Sequence, residues 1–310
     1  MDVPACSISQ TQHMNITNRL NLPAPLVAAV TNDPYHGGGA DYSVTTLIKP
    51  AQAVALERKH RDELTEDVAD RIWSLIGQIG HTILERAAMK ELVEHRFFFR
   101  FIGKLISGQA DIWNAEELLD YKFTSAWAVK DGLKPEWECQ LNLLILLAGE
   151  EGISVKEAKI IAILRDWSKL EARRSADYPQ EQVVVLHCPI WSREKTLAYL
   201  TDRLTQHIAA AEGNPPPCND NERWAKPAKF AVMKPGRKTA LKLFGNYGEA
   251  QAMADGIKGA VVQTRPAVNT RCDAYCAASE WCPQYKALQE ASRAQQPTPE
   301  GEGGDGELAL

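Results

Sequence analysis

No apolar run in the 310-residue chain reaches the roughly 18 residues that a membrane-spanning helix needs. The opening stretch "MDVPACSISQTQHMN" has neither the basic start nor the apolar segment of a secretory signal, so a cytoplasmic protein is expected. Cysteines number seven, an odd count, which with no secretory signal speaks against a disulfide scaffold. No stretch repeats another, which removes solenoids and propellers. An overall basic charge is also missing: the net value is −5, where a DNA-binding domain is often basic.

What is present is a globular composition, 45% hydrophobic and 24% charged, enough to bury one large core or two modest ones. Much of the negative excess sits in "PTPEGEGGDGELAL", residues 297–310, which reads as a disordered acidic tail from about 293. Basic residues gather in "ERKHR" (57–61) and "KPAKFAVMKPGRK" (226–238), each a solvated face or part of a path for a polyanion.

Residues 1–40 alternate short apolar pieces with turn residues and read as an irregular leader. From Ser43 the spacing predicts a helix to Arg61, and after Thr65 a second to His95, striped at 68, 72, 75, 76, 79, 83, 84 and 87. "RFFFRFIGKLISGQADIW" reads as extended chain, "NAEE" as a reversal and "LLDYKF" as the return strand. A helix follows to Gly149, then strands at 158–167 and 182–191, and a helix from Ser192 to about Glu212. A hairpin around Pro235-Gly236, a helix at 247–259 and a strand at 260–266 lead to the last cysteines. The class is α/β or α+β, a mixed central sheet flanked by helices, with one domain over 41–292 that includes a Cys-rich segment at 218–285.

Asp111, Asp120 and Lys122 stand out because the strands that carry them need no charge for their core. Residues two apart on a strand share a face, so Asp120 and Lys122 point the same way. If the strands pair across "NAEE", both aspartates lie near one end of the hairpin. Converging carboxylates are costly without a cation, and oxygen ligands suit Mg²⁺ or Mn²⁺. A lysine beside such a metal can orient the attacking water or stabilise developing negative charge, an arrangement suited to phosphodiester hydrolysis. The bland alternative is a same-face ion pair on a surface hairpin. Replacement of Asp120 or Lys122 is expected to stop cleavage and leave the fold intact, on the view that both lie in a solvated site.

In element order the chain resembles the PD-(D/E)xK nuclease superfamily, in its RecB-like branch. "GQIGHTILE" offers His81 and Glu85, "SGQAD" offers Asp111, "DYK" offers Asp120 and Lys122, and "QLNLL" offers Gln140, over roughly residues 43–148. The resemblance implies a restriction-endonuclease-like core and a metal held by His81, Asp111, Asp120 and the Tyr121 carbonyl. It further implies Lys122 acting on water, Gln140 positioning DNA or the lysine, and Glu85 assisting through a second metal or helix packing. The tyrosine often found four residues after the Gln is Leu144 here, which puts the DNA-positioning role in doubt.

Members with an iron–sulfur cluster carry a C-terminal cysteine trio like Cys272, Cys276 and Cys282, and a fourth cysteine upstream of the His helix. That upstream stretch has none here, and Cys218 is the best remaining fourth ligand for a [4Fe–4S] cluster or structural Zn²⁺. Otherwise the trio is buried packing or a vestige. DNA would follow Arg58, Lys59 and Arg61 with Lys226, Lys229, Lys234, Arg237 and Lys238, and Trp224 and Tyr275 offer stacking surfaces. The resemblance implies a metal-dependent exonuclease in phage or prophage recombination or repair, acting on single- or double-stranded DNA ends in a host cytoplasm, with a recombinase or single-strand-binding protein as partner. The alternatives are a CRISPR-adaptation-like nuclease that trims DNA ends, a non-catalytic DNA-binding protein on the same fold, and a small-molecule hydrolase with an unrelated carboxylate site.

Overall fold

Ser43 caps a helix as its sequence suggests: its hydroxyl accepts the Thr46 amide at 3.1 Å. The helix does not run to Arg61. Pro50 lacks an amide proton and divides it into two. The computed structural model describes residues 15–31, 38–87, 92–93, 95–114 and 116–294. The first fourteen residues, Cys6 among them, and the tail from 295 lie outside the described residues. The described chain forms two compact units that divide between Pro216 and Pro217.

The first unit runs, in order, β1 (Asn15–Thr17), α1 (Ala24–Thr31), β2 (Tyr42–Ser43), α2 (Val44–Leu47), α3 (Ala51–Lys59), β3 (Thr65–Asp67), α4 (Ile72–Ala87), β4 (Leu92–Val93) and β5 (Arg96–Phe101). It continues with β6 (Lys104–Gln109), β7 (Ile112–Asn114), β8 (Glu117–Thr124), α5 (Pro135–Glu150), β9 (Glu157–Leu164), α6 (Lys169–Arg174), β10 (Val183–His187) and α7 (Arg193–Ala211). The class is α+β. A five-stranded mixed sheet in the order β10-β9-β8-β7-β4 has β8 and β9 parallel and its other pairs antiparallel. A second sheet orders β2-β6-β5. β6 and β7 are separated only by Ala110 and Asp111, so one bent stretch serves both sheets.

The apolar α5 is the centre of this unit. Leu141, Leu143, Leu144 and Leu147 are fully buried in one cluster with Phe97, Ile106, Leu118 and Ile160. Gly108 on β6 admits the helix: a Cβ there would lie 2.5 Å from Leu144 Cδ2 and 2.9 Å from Val44 Cγ2. At the end of α2, buried Arg203 of α7 donates to the carbonyls of Leu47 (2.9 Å) and Lys49, and His207 reaches the same two oxygens at 3.3 and 3.2 Å. These side chains satisfy acceptors that a helix end leaves without partners.

The second unit contains α8 (Asp220–Arg223), β11 (Ala225–Lys226), β12 (Lys229–Met233), β13 (Lys242–Phe244), α9 (Tyr247–Asp255), β14 (Val261–Arg265), β15 (Val268–Asn269), α10 (Thr270–Ala274) and α11 (Pro283–Ala294). The sheet β13-β12-β14 packs α9 on a small core of Val232, Ala250 and Ala254. The Cys-rich segment expected from 218 thus opens a unit with a core of its own.

Several expectations change. The leader contains β1 and α1, and β1 pairs in parallel with β3. Asp67 fixes that pairing by accepting from Thr17 Oγ1 (2.8 Å) and the Arg19 amide (2.9 Å), and it also takes the Ala69 amide (3.0 Å). These bonds, the Arg19 amide foremost, hold its carboxyl below the ordinary carboxylate range. The helix after Thr65 begins only at Ile72, behind a 3₁₀ turn that Asp67 caps. Its apolar stripe is not core: no residue of α4 is buried, and Ile79 and Ile83 are 49% and 58% exposed.

Candidate active site

β8 places Asp120 and Lys122 on one face of the five-stranded sheet, as the two-residue strand period requires. Asp120 is only 2% exposed. Its Oδ2 faces the Lys122 ammonium at 2.7 Å as an ion pair without hydrogen-bond direction. Gln140, from the first turns of α5, closes the group. Its carbonyl oxygen accepts from Lys122 Nζ at 3.1 Å, and its amide donates to Asp120 Oδ1 at 3.2 Å. The side chain expected to position the lysine touches both members of the pair.

Asp111 lies at the break between β6 and β7, and in the register of that hairpin it falls opposite Asp120. Its Oδ2 accepts the Tyr121 amide at 2.8 Å, which pins the carboxylate to β8. His81 Nδ1 stands 3.4 Å from the same oxygen. Burial lowers the His81 pKa; the Asp120 carboxylate opposes the shift and Lys122 adds to it. The imidazole is therefore neutral near pH 7, the form in which histidine binds a metal. Glu85, one turn further on α4, is exposed and pairs with no described residue.

His81 reaches this point because Gly80 lets α4 approach β8. A Cβ on Gly80 would sit 2.0 Å from Phe123 Cζ, and the Phe123 ring meets His81 edge-on at 5.8 Å. Sequence reasoning passed over both residues. The signal was the glycine next to His81 in "GQIGH", since an interior helix glycine costs stability unless something comes close. Leu144, where the family often has tyrosine, is 1% exposed against Gly108 and belongs to the core rather than the site.

The Asp111 and Asp120 carboxylates are hard oxygen donors that suit Mg²⁺ or Mn²⁺, and the buried Asp120 Oδ2 without a directed hydrogen bond fits a cation. They form two linked pairs, His81–Asp111 and Asp120–Lys122. No three His, Cys, Asp or Glu side chains among the described residues are set as a finished metal site.

In the second unit, Cys218 lies within electrostatic reach of Cys272, Cys276 and Cys282. Burial pushes Cys218 up to about 12 and Cys272 up to about 11. Gln284 clasps the Cys218 backbone, accepting from its amide and donating to its carbonyl, both at 2.8 Å, and the Tyr285 amide points at Cys282 Sγ at 3.4 Å. The four cysteines share one neighbourhood, and burial keeps the Cys218 and Cys272 thiols protonated. Cys139 and Cys188, half-buried and buried, belong to the first unit.

The basic residues of the expected DNA path are exposed: Arg58, Lys59 and Arg61 at the end of α3, and Lys226, Lys229, Lys234, Arg237 and Lys238 on β11, β12 and the loop after it. Arg58 and Lys59 also border a cavity of about 470 Å³ between α3 and α7 that includes none of the Asp120 group. Trp224 and Tyr275 meet edge-on at 5.4 Å, with the Arg271 guanidinium 4.3 Å above the indole.

No family model matches the chain, and no curated protein matches it. Among solved structures, the crystal structure of SSO0001 is similar at 16% identity and a TM-score of 0.41, covering 58% of this chain and 83% of that one. A "Putative exonuclease" from Eubacterium rectale is similar at 9% identity and a TM-score of 0.31, covering 60% of this chain and 71% of that one. Among the described residues no helix is long and apolar enough to cross a membrane.

Proposed function

We propose that the chain is a metal-dependent deoxyribonuclease that hydrolyses phosphodiester bonds, with a PD-(D/E)xK site on β8. The observation that supports this most is the closed group of Asp120, Lys122 and Gln140, flanked by Asp111 and His81. Asp120, Asp111 and neutral His81 would hold Mg²⁺ or Mn²⁺, which when bound would neutralise the phosphate and acidify water. Lys122 orients the attacking water and stabilises charge that develops on the phosphate. Gln140 fixes the ammonium by its carbonyl oxygen, and Asp111 is fixed by the Tyr121 amide. In this reading Cys218, Cys272, Cys276 and Cys282 serve stability, through a [4Fe–4S] cluster or Zn²⁺, and take no part in the hydrolysis.

The test uses end-labelled single- and double-stranded DNA with Mg²⁺ or Mn²⁺, and with EDTA. Wild-type protein should cleave only with the metal, and Asp120→Asn and Lys122→Met should each lose about a hundredfold or more. Stepwise release from labelled ends marks the exonuclease mode expected of a recombination, repair or end-trimming enzyme. Equal cleavage in EDTA, or by Asp120→Asn, overturns the assignment. One observation favours a second reading, a DNA-binding protein without chemistry: Lys122 already neutralises Asp120. Metal-independent binding with no product in any condition would select it.

A further inference from the structure

The C-terminal ends of β8 and β9 carry two large aromatic surfaces that the core does not use. Trp127 is 66% exposed and Trp73, in the first turn of α4, is 53% exposed. Each has a cation on its face: the Arg165 guanidinium lies 4.0 Å from the Trp73 ring, and Lys130 Nζ lies 5.1 Å from the Trp127 ring.

The backbone ties these rings to one place. The Arg165 amide donates to the Thr124 carbonyl at 2.9 Å, and the Ala126 amide donates to Asp166 Oδ1 at 2.7 Å. Trp73 is thus tied through the Arg165 side chain, and Trp127 through its neighbour Ala126, to the junction where β8 and β9 end. Tyr178, itself buried, supports Trp127 edge-on at 6.3 Å. Thr124 is two residues beyond Lys122 on β8, a rise of about 7 Å. The later part of α4 brings Gly80 against Phe123, so one helix carries both Trp73 and His81.

We propose that Trp73 and Trp127, each backed by a cation, form a stacking platform for unpaired bases of a single-stranded nucleic acid at the end of the strand that carries Asp120 and Lys122. This rests on the nuclease reading and adds a preference for single-stranded substrate. An indole is a flat surface on which any base can stack, and Arg165 and Lys130 supply positive charge for the adjoining phosphates. A protein partner would also use exposed tryptophan, but the paired cations favour a polyanion with π-faces.

The experiment measures binding by the full chain in EDTA, with a short fluorescein-labelled oligothymidylate and a strand of equal length that carries no bases. Trp73→Ala and Trp127→Ala should each weaken the oligothymidylate by about ten- to a hundredfold and leave the base-free strand unchanged. Trp73→Phe and Trp127→Phe should keep most of the affinity, which guards against a merely structural loss. Equal loss for both strands, or no loss for either, overturns the platform. Cleavage by the wild type alongside unaltered binding by the tryptophan variants removes the platform alone. Base-dependent binding that these variants lose, with no cleavage in Mg²⁺ or Mn²⁺, removes the nuclease reading and leaves the platform standing.

Discussion

Asp120 carries its carboxylate at 2% exposure, with Lys122 and Gln140 as its polar neighbours. The site was expected to be solvated, with substitutions that leave the fold intact; burial of Asp120 changes that expectation for the lysine. Lys122→Met removes the partner of a buried charge, a class of change that costs about 3 kcal/mol or more. Asp120→Asn keeps the shape and removes the charge, so it should cost less. Thermal denaturation should therefore rank Lys122→Met below Asp120→Asn, with the double variant recovering stability over Lys122→Met alone. Under the proposed function, Mn²⁺ should raise the Tm of Lys122→Met more than that of the wild type, because binding to the folded state stabilises it. A double variant no better than Lys122→Met would show that the ion pair does not set the cost.

At the scale of the element, α4 offers a comparison inside one helix. Gly77 and Gly80 are both interior glycines, and helix propensity alone favours alanine at each by about 1 kcal/mol. Nothing lies within 4 Å of a Cβ on Gly77, so Gly77→Ala should stabilise by up to about 1 kcal/mol. At Gly80 the same Cβ would fall 2.0 Å from the Phe123 ring, and overpacking of about 1–3 kcal/mol outweighs propensity. Gly80→Ala should lower the Tm, and Phe123→Leu should partly restore it. Because that contact also sets His81 beside Asp111, the proposed function predicts that cleavage falls in Gly80→Ala and remains in Gly77→Ala. If both alanines act alike on Tm, the close approach is not what glycine serves. The "NAEE" reversal and the D-x-K strand were legible because alternation and turn residues are local. The break at Pro50 is local too, since proline lacks the amide proton a helix interior needs. The late start of α4 and the exposed stripe were not legible, since they depend on what packs against each face.

In the first unit as a whole, α7 is tied to a segment some 156 positions earlier through Arg203 and His207. Burial, then the Arg203 charge, lowers the His207 pKa to about 4. The unfolded chain, with an ordinary value near 6.5, takes up a proton first as pH falls. The folded state is therefore favoured fully above 6.5 and loses about 3 kcal/mol on acidification towards pH 4, with little further change from this group below that. His81 shifts in the same direction. Denaturation of His207→Gln at several pH values should show a shallower decline over that window than the wild type. An identical profile would place the acid sensitivity elsewhere.

The sequence by itself determined most of the helices and strands after Ser43, the shared face of Asp120 and Lys122, and the order in which His81, Asp111, Asp120, Lys122 and Gln140 arrive. These follow from periodicity, turn residues and chain order, all of them local. Only the tertiary structure decided that Asp120 is buried, that Gln140 bridges it to Lys122, and that Gly80 sets His81 beside Asp111. It also decided that Leu144 belongs to the core and that Trp73 stands over Arg165. Each of these depends on the distance between elements far apart in the chain, which packing fixes and a one-dimensional pattern does not carry.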